Sequence, residues 1–78
     1  MINKLLYIFL EKIFIYNTDF KDITEIELKR TFKNNQYYNL KKFCLQNKLI
    51  NNGFHKISLT QEGLTLFNFL KNYIKIYK

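Results

Sequence analysis

The chain has 78 residues, enough for one domain and close to the lower limit for folding without a disulfide or a metal. Hydrophobic residues make up 47% and aromatic ones 18%, which argues against disorder despite the many Asn and Lys. Against 6 acidic residues stand 13 basic ones, and the net charge of +7 favours a polyanionic partner, either nucleic acid or an anionic membrane surface.

Arg30 is the single arginine, and Lys, Asn, Ile, Phe and Tyr dominate the chain. That usage suggests an A+T-rich genome, which accounts for part of the lysine excess without any function. Cys44 is the only cysteine and His55 the only histidine. An intrachain disulfide is therefore excluded, no structural zinc site is expected, and a reducing, cytoplasmic setting fits. The apolar stretch Leu5–Leu10 is shorter than a signal h-region, runs straight into Glu11 and Lys12, and has no small-residue cleavage site. No apolar run approaches the length of a membrane span.

In chain order, residues 2–16 read as a helix. Ile2, Leu5, Leu6, Phe9, Leu10, Ile13 and Tyr16 share one broad face at 100° per residue. Tyr7, Ile8, Phe14 and Ile15 lie outside it, so a single partner element cannot cover the whole helix. Polar turn chemistry follows at 17–22. Thr24-Glu25-Ile26-Glu27 fits a reciprocal capping box, and Ile23 with Leu28 fits a hydrophobic staple. A short helix to about Lys33 should then bury Leu28 and Phe32.

Asn34 and Asn35 break the pattern and supply the next N-cap. The third helix, 36–47, should bury Tyr37, Leu40, Phe43 and Cys44, the last as a small buried hydrophobe. Its opposite face shows Asn35, Tyr38, Asn39, Lys42 and Gln46, with Lys41 at the side. Asn52-Gly53 is a strong type I′ hairpin signal, and Ile57 and Leu59 alternate with Lys56 and Ser58 in the outgoing strand. Thr60 caps the last helix, with Leu59 and Leu64 as its staple. From there Leu66, Phe67, Phe69, Leu70, Tyr73, Ile74, Ile76 and Tyr77 span an arc of roughly 180°, wider than the stripe near 100° that a surface helix buries.

The order of helix, capped short helix, polar-faced helix, tight hairpin and long helix resembles the winged helix–turn–helix superfamily, in particular its small single-domain regulators of archaeal, viral or plasmid type. The residues carrying the resemblance are Thr24–Lys33 and Gln36–Asn47 as the motif helices, Leu49-Ile50 entering the hairpin, and Leu59-Thr60-x-x-Gly63-x-x-Leu66 leaving it. It implies an α+β, mostly α fold over the whole chain, residues 1–78: a three-helix core, a short β-hairpin wing and a long C-terminal helix. Many members carry Gly before the Leu-Ile pair; here Lys48 stands there, and Asn47 is the better candidate for the left-handed cap.

By the same resemblance, helix 36–47 enters the major groove and the partner is double-stranded DNA. Asn35, Gln36, Asn39 and Gln46 supply amides suited to adenine edges, and Lys41 and Lys42 suit phosphate or guanine. Tyr38 suits a phosphate or a thymine methyl. Lys29, Arg30 and Lys33 sit where the preceding helix crosses the backbone, and Asn51, Asn52, His55 and Lys56 where the minimal wing does. Plainer readings stand beside these. Asn34 and Asn35 serve as cap and turn residues, Lys41 and Lys42 as a solvated face, and His55, lacking a second His or Cys, as a surface strand residue.

No Gly-rich phosphate loop, nucleophile motif or triad is present, so catalysis is not expected, nor is a cofactor or a small-molecule ligand. The surplus apolar surface points to a homodimer through Tyr7, Ile8, Phe14 and Ile15 of the first helix and Leu66, Phe69, Tyr73, Ile76 and Tyr77 of the last. Two recognition helices would then lie side by side on a pseudo-palindromic site in the cytoplasm, the host's if the source is a virus or plasmid. The alternative is a winged-helix adaptor in a transcription or replication complex, since fold alone does not fix function. A membrane-surface role through the basic amphipathic ends ranks last.

Overall fold

The computed structural model describes residues 4–53 and 56–77, with side chains described through residue 74. Along these residues the order is α1 (Lys4–Thr18), β1 (Ile23–Thr24), α2 (Glu25–Arg30), α3 (Asn34–Gln46), β2 (Ile50–Gly53), β3 (Lys56–Leu59) and α4 (Gln61–Tyr77). The three strands form an antiparallel sheet in the order β1-β3-β2. The result is a small α+β fold, mostly helical, with one hydrophobic core.

Helix α1 buries Leu6, Phe9, Leu10 and Ile13, the centre of its expected apolar face, while Leu5 at the rim is 41% exposed. Its end is fixed by Asn17, whose side chain donates to the Lys21 carbonyl (2.8 Å) and accepts from the Leu59 N–H (3.0 Å). That second bond ties the helix terminus to β3. Strand β1 was not expected. Ile23, read as a staple residue only, pairs with Ile57, and Thr24 pairs with Lys56. Two residues carry no periodicity, and their partners lie more than thirty positions away.

Thr24 does cap α2, accepting from the Glu27 N–H at 3.3 Å. The reciprocal half of the box does not form among the described residues, because Glu27 turns to Arg30 (3.1 Å). Helix α2 stops at Arg30, short of the expected Lys33, though Leu28 and Phe32 are buried as expected. Helix α3 begins earlier than expected. Lys33, not an Asn, is its N-cap residue, and its backbone N–H donates to the Gln36 side chain at 3.4 Å. Lysine has no acceptor to return the bond, and Asn34 and Asn35, expected to supply the cap, fall inside the first turn.

At the other end of α3 the left-handed position is Lys48 (φ 56°), not Asn47 (φ −100°). The Leu49 N–H then donates to the Cys44 carbonyl at 2.8 Å and the Lys48 N–H to that of Leu45 at 3.2 Å, which satisfies the last turn. Tyr37 and Cys44 are fully buried, whereas Phe43, expected in the core, is 45% exposed.

The hairpin turn also differs from expectation. Gly53 pairs with Lys56 and Asn52 with Ile57, so the strands are joined through residues 54 and 55, and Asn52-Gly53 belongs to β2. Gly53 has no positive φ. A turn at 52–53 would set Leu59 opposite Gln46 inside α3. The observed register sets it opposite Ile50 and keeps Ile57 fully buried. Burial of two apolar side chains outweighs a local turn preference.

Helix α4 buries Phe67 and Leu70 against α1. The Phe67 ring stacks on Tyr7 (5.5 Å) and on Phe14 (4.7 Å). Those two residues, expected to be uncovered in a monomer, are therefore half-buried within the chain. Among the described residues no helix is long and apolar enough to cross a membrane.

Candidate nucleic-acid interface

Helix α3 follows α2 after only three residues, and the two are joined by a polar seam. Burial of Tyr37 on α3 forces its hydroxyl to find a partner, because an unpaired buried O–H costs roughly 1–3 kcal/mol. That partner is Glu25, the first residue of α2: Tyr37 donates to Glu25 Oε2 at 2.7 Å. Four residues along α3, the Lys41 ammonium donates to the same oxygen. Burial, then the Glu25 bond, pushes the Tyr37 hydroxyl well above the ordinary tyrosine value.

A second link lies beside the first. Lys29 Nζ of α2 donates to the Tyr38 hydroxyl at 2.8 Å and stands 4.9 Å from the centre of the Tyr38 ring. The bond to Tyr38 raises the Lys29 ammonium above its ordinary value. Tyr38 meets Tyr37 edge to face at 5.3 Å, which joins the two links into one cluster.

The outward face of α3 carries the expected set. Asn35, Tyr38, Asn39, Lys42 and Gln46 are all exposed. Gln36 is half-buried, and with Asn39 it lines a cleft of about 290 Å³ between α3 and the start of α1, walled by Leu5, Leu6, Leu40 and Phe43. Lys41 is turned away from this face, its side chain only 18% exposed against Glu25. Arg30 is exposed and bridges to Glu27, and Lys33 is exposed at the head of α3. Asn51, Asn52 and Lys56 are exposed on the hairpin, and His55 lies outside the described residues.

The apolar set expected at a dimer seam divides in three. Tyr7, Ile8, Phe14 and Leu66 are half-buried against the chain's own core. Ile15 (54%), Phe69 (59%) and Tyr73 (42%) are open, and Phe69 and Tyr73 stack with ring centres 6.5 Å apart. The side chains of Ile76 and Tyr77 lie outside the described residues.

Glu25 is the site residue that sequence reasoning missed. The sequence pattern shows it only as part of a capping segment, although Tyr37 and Lys41, four apart on α3, offer a donor pair in need of an acceptor. Among the described residues no group of three or more His, Cys, Asp or Glu is placed to hold a metal ion. No family model matches the chain, and no curated protein or solved structure matches it either.

Proposed function

We propose that the chain is a winged helix–turn–helix protein that binds duplex DNA, with α3 in the major groove and the β2–β3 hairpin near the phosphate backbone. The observation that carries this reading is the outward face of α3, where Asn35, Asn39 and Gln46 offer amides beside Lys42 and Tyr38. Amides read adenine edges and ammonium groups neutralise phosphates, so one face holds both kinds of contact such a complex needs. Lys29, Arg30 and Lys33 lie on or just after α2, where a flanking helix meets the backbone. The element order, with a short strand before α2 paired to the hairpin, supports the fold part of the reading.

The functional unit is a homodimer and a transcription regulator, joined through exposed apolar side chains, Ile15 of α1 and the stacked Phe69 and Tyr73 of α4. A second reading, a protein-interaction adaptor, is favoured by one observation. Phe43 and Leu45 of α3 are 45% and 41% exposed, and Phe43 walls an apolar cleft with Leu5.

Binding to random duplex DNA as a function of salt separates the two. The DNA-binding reading expects affinity to fall steeply with salt, Lys42→Ala to weaken binding on all sequences, and Asn39→Ala to change preference at particular base pairs by about 1–3 kcal/mol. Selection of bound sites from a random pool then gives symmetry and half-site spacing, expected near 34 Å. Salt-insensitive or absent binding supports the adaptor.

A further inference from the structure

We propose that Glu25 restrains the sequence-independent part of DNA affinity by keeping Lys41 in the seam between α2 and α3; this rests on the DNA-binding reading above. Lys41 and Lys42 are neighbours in sequence, yet they are placed oppositely. Lys42 is exposed, while the Lys41 ammonium is held on Glu25 Oε2.

The restraint is built into the fold. The oxygen that holds Lys41 also accepts from the fully buried Tyr37 hydroxyl, so Glu25 cannot swing out without stranding that group. Its backbone follows Thr24, which is paired to Lys56 in the sheet. Glu25 is thus a positioning residue, fixed from both sides, and it sets the number of α3 cations free to meet phosphate.

The size of the effect follows from counterion release. Each phosphate neutralised on B-DNA adds about 0.9 to the slope of log affinity against log salt. Neutralising Glu25 as Gln keeps an acceptor for Tyr37 and removes the charge that holds Lys41. Glu25→Gln is therefore expected to bind an arbitrary duplex several-fold more tightly at about 100 mM salt, with a slope steeper by about 0.9. In the double variant E25Q/K41A the slope returns to the wild-type value.

A slope in E25Q equal to the wild type overturns the inference. So does a slope in E25Q/K41A as steep as in E25Q, because the gain would then come only from the lost negative charge. A measurement on the wild-type protein covers the case in which E25Q fails to fold. Nitrogen-15 NMR of the lysine ammonium groups should show Lys42 Nζ shifting on addition of duplex while Lys41 Nζ holds its position. A Lys41 shift as large as that of Lys42 overturns the proposal. Loss of binding in K42A together with an unchanged E25Q sinks this inference alone, whereas a wild-type protein that binds no duplex sinks the DNA-binding reading with it.

Discussion

Gly63 of α4 packs so tightly beneath Leu49 that a Cβ on it would stand 2.0 Å from the Leu49 carbonyl oxygen. The Leu49 carbonyl carbon would lie at 3.0 Å and Leu59 Cδ2 at 3.3 Å. Side chains can give way, but this oxygen belongs to the backbone and already accepts from the Thr60 N–H at 3.0 Å. Gly63→Ala must push α4 off the hairpin, at a cost of about 2–3 kcal/mol. Thermal unfolding followed by circular dichroism checks this. A melting temperature within a degree or two of the wild type would show that the helix has room for the added methyl group.

Thr60 holds the same junction with a single side chain. Its hydroxyl accepts from the Gly63 N–H (3.0 Å) and donates to the Lys48 carbonyl (2.6 Å), so it caps α4 and ties it to the end of α3. Thr60→Ala should cost about 1–2 kcal/mol in urea unfolding, and Thr60→Ser should recover most of that. Equal losses in both variants would mean that the methyl group, not the hydroxyl, carries the contribution.

The junction was legible in the sequence because its parts are local: a Thr cap, a Gly three residues on, and a Leu staple. The buried faces of α1 and α4 were legible for a related reason, since Phe9, Leu10 and Ile13, like Phe67 and Leu70, repeat at helical spacing. What the sequence hid depends on distant partners. Strand β1 exists only because Ile57 lies opposite Ile23, and the hairpin turn moves beyond Gly53 because Leu59 must reach Ile50. The candidate site followed the same division. The exposed amides of α3 follow from helix geometry, while the capture of Lys41 by Glu25 depends on how α2 packs on α3, which no local pattern records.

Among the described residues, two sit in the left-handed region without being glycine or asparagine: Phe20 (φ 59°) and Lys48 (φ 56°). A single L-residue with a Cβ is strained there by about 1 kcal/mol, and Phe20 is 98% exposed, so its ring recovers almost nothing by burial. Phe20→Asn and Lys48→Gly should each stabilise the protein by about 0.5 kcal/mol, since glycine gives back part of the gain through its freer unfolded state. For a domain of this size that raises the melting temperature by roughly 2–4 °C. A drop in either variant would show that the side chain makes a contribution exceeding the backbone strain.

Cys44 gives the fold an alkaline limit. The thiol is fully buried in the core, and burial alone pushes it from its ordinary 9.0 to about 12. Below pH 9 it is protonated in folded and unfolded chains alike, so its contribution is complete and independent of pH. Between pH 9 and about 12 the unfolded chain releases the proton while the folded chain keeps it, and stability falls by up to about 1.4 kcal/mol per pH unit. Tyr37, also raised by burial, adds a loss of the same sign that begins above its ordinary 10.0. The two are separable by comparing urea midpoints of wild type and Cys44→Ala from pH 8 to pH 11. Cys44→Ala starts lower because of its small cavity, but the two curves should converge as pH rises through 9 and beyond. Parallel curves would mean that the thiol ionises as readily folded as unfolded, and the native protein would then react with a thiol reagent at pH 9 without unfolding.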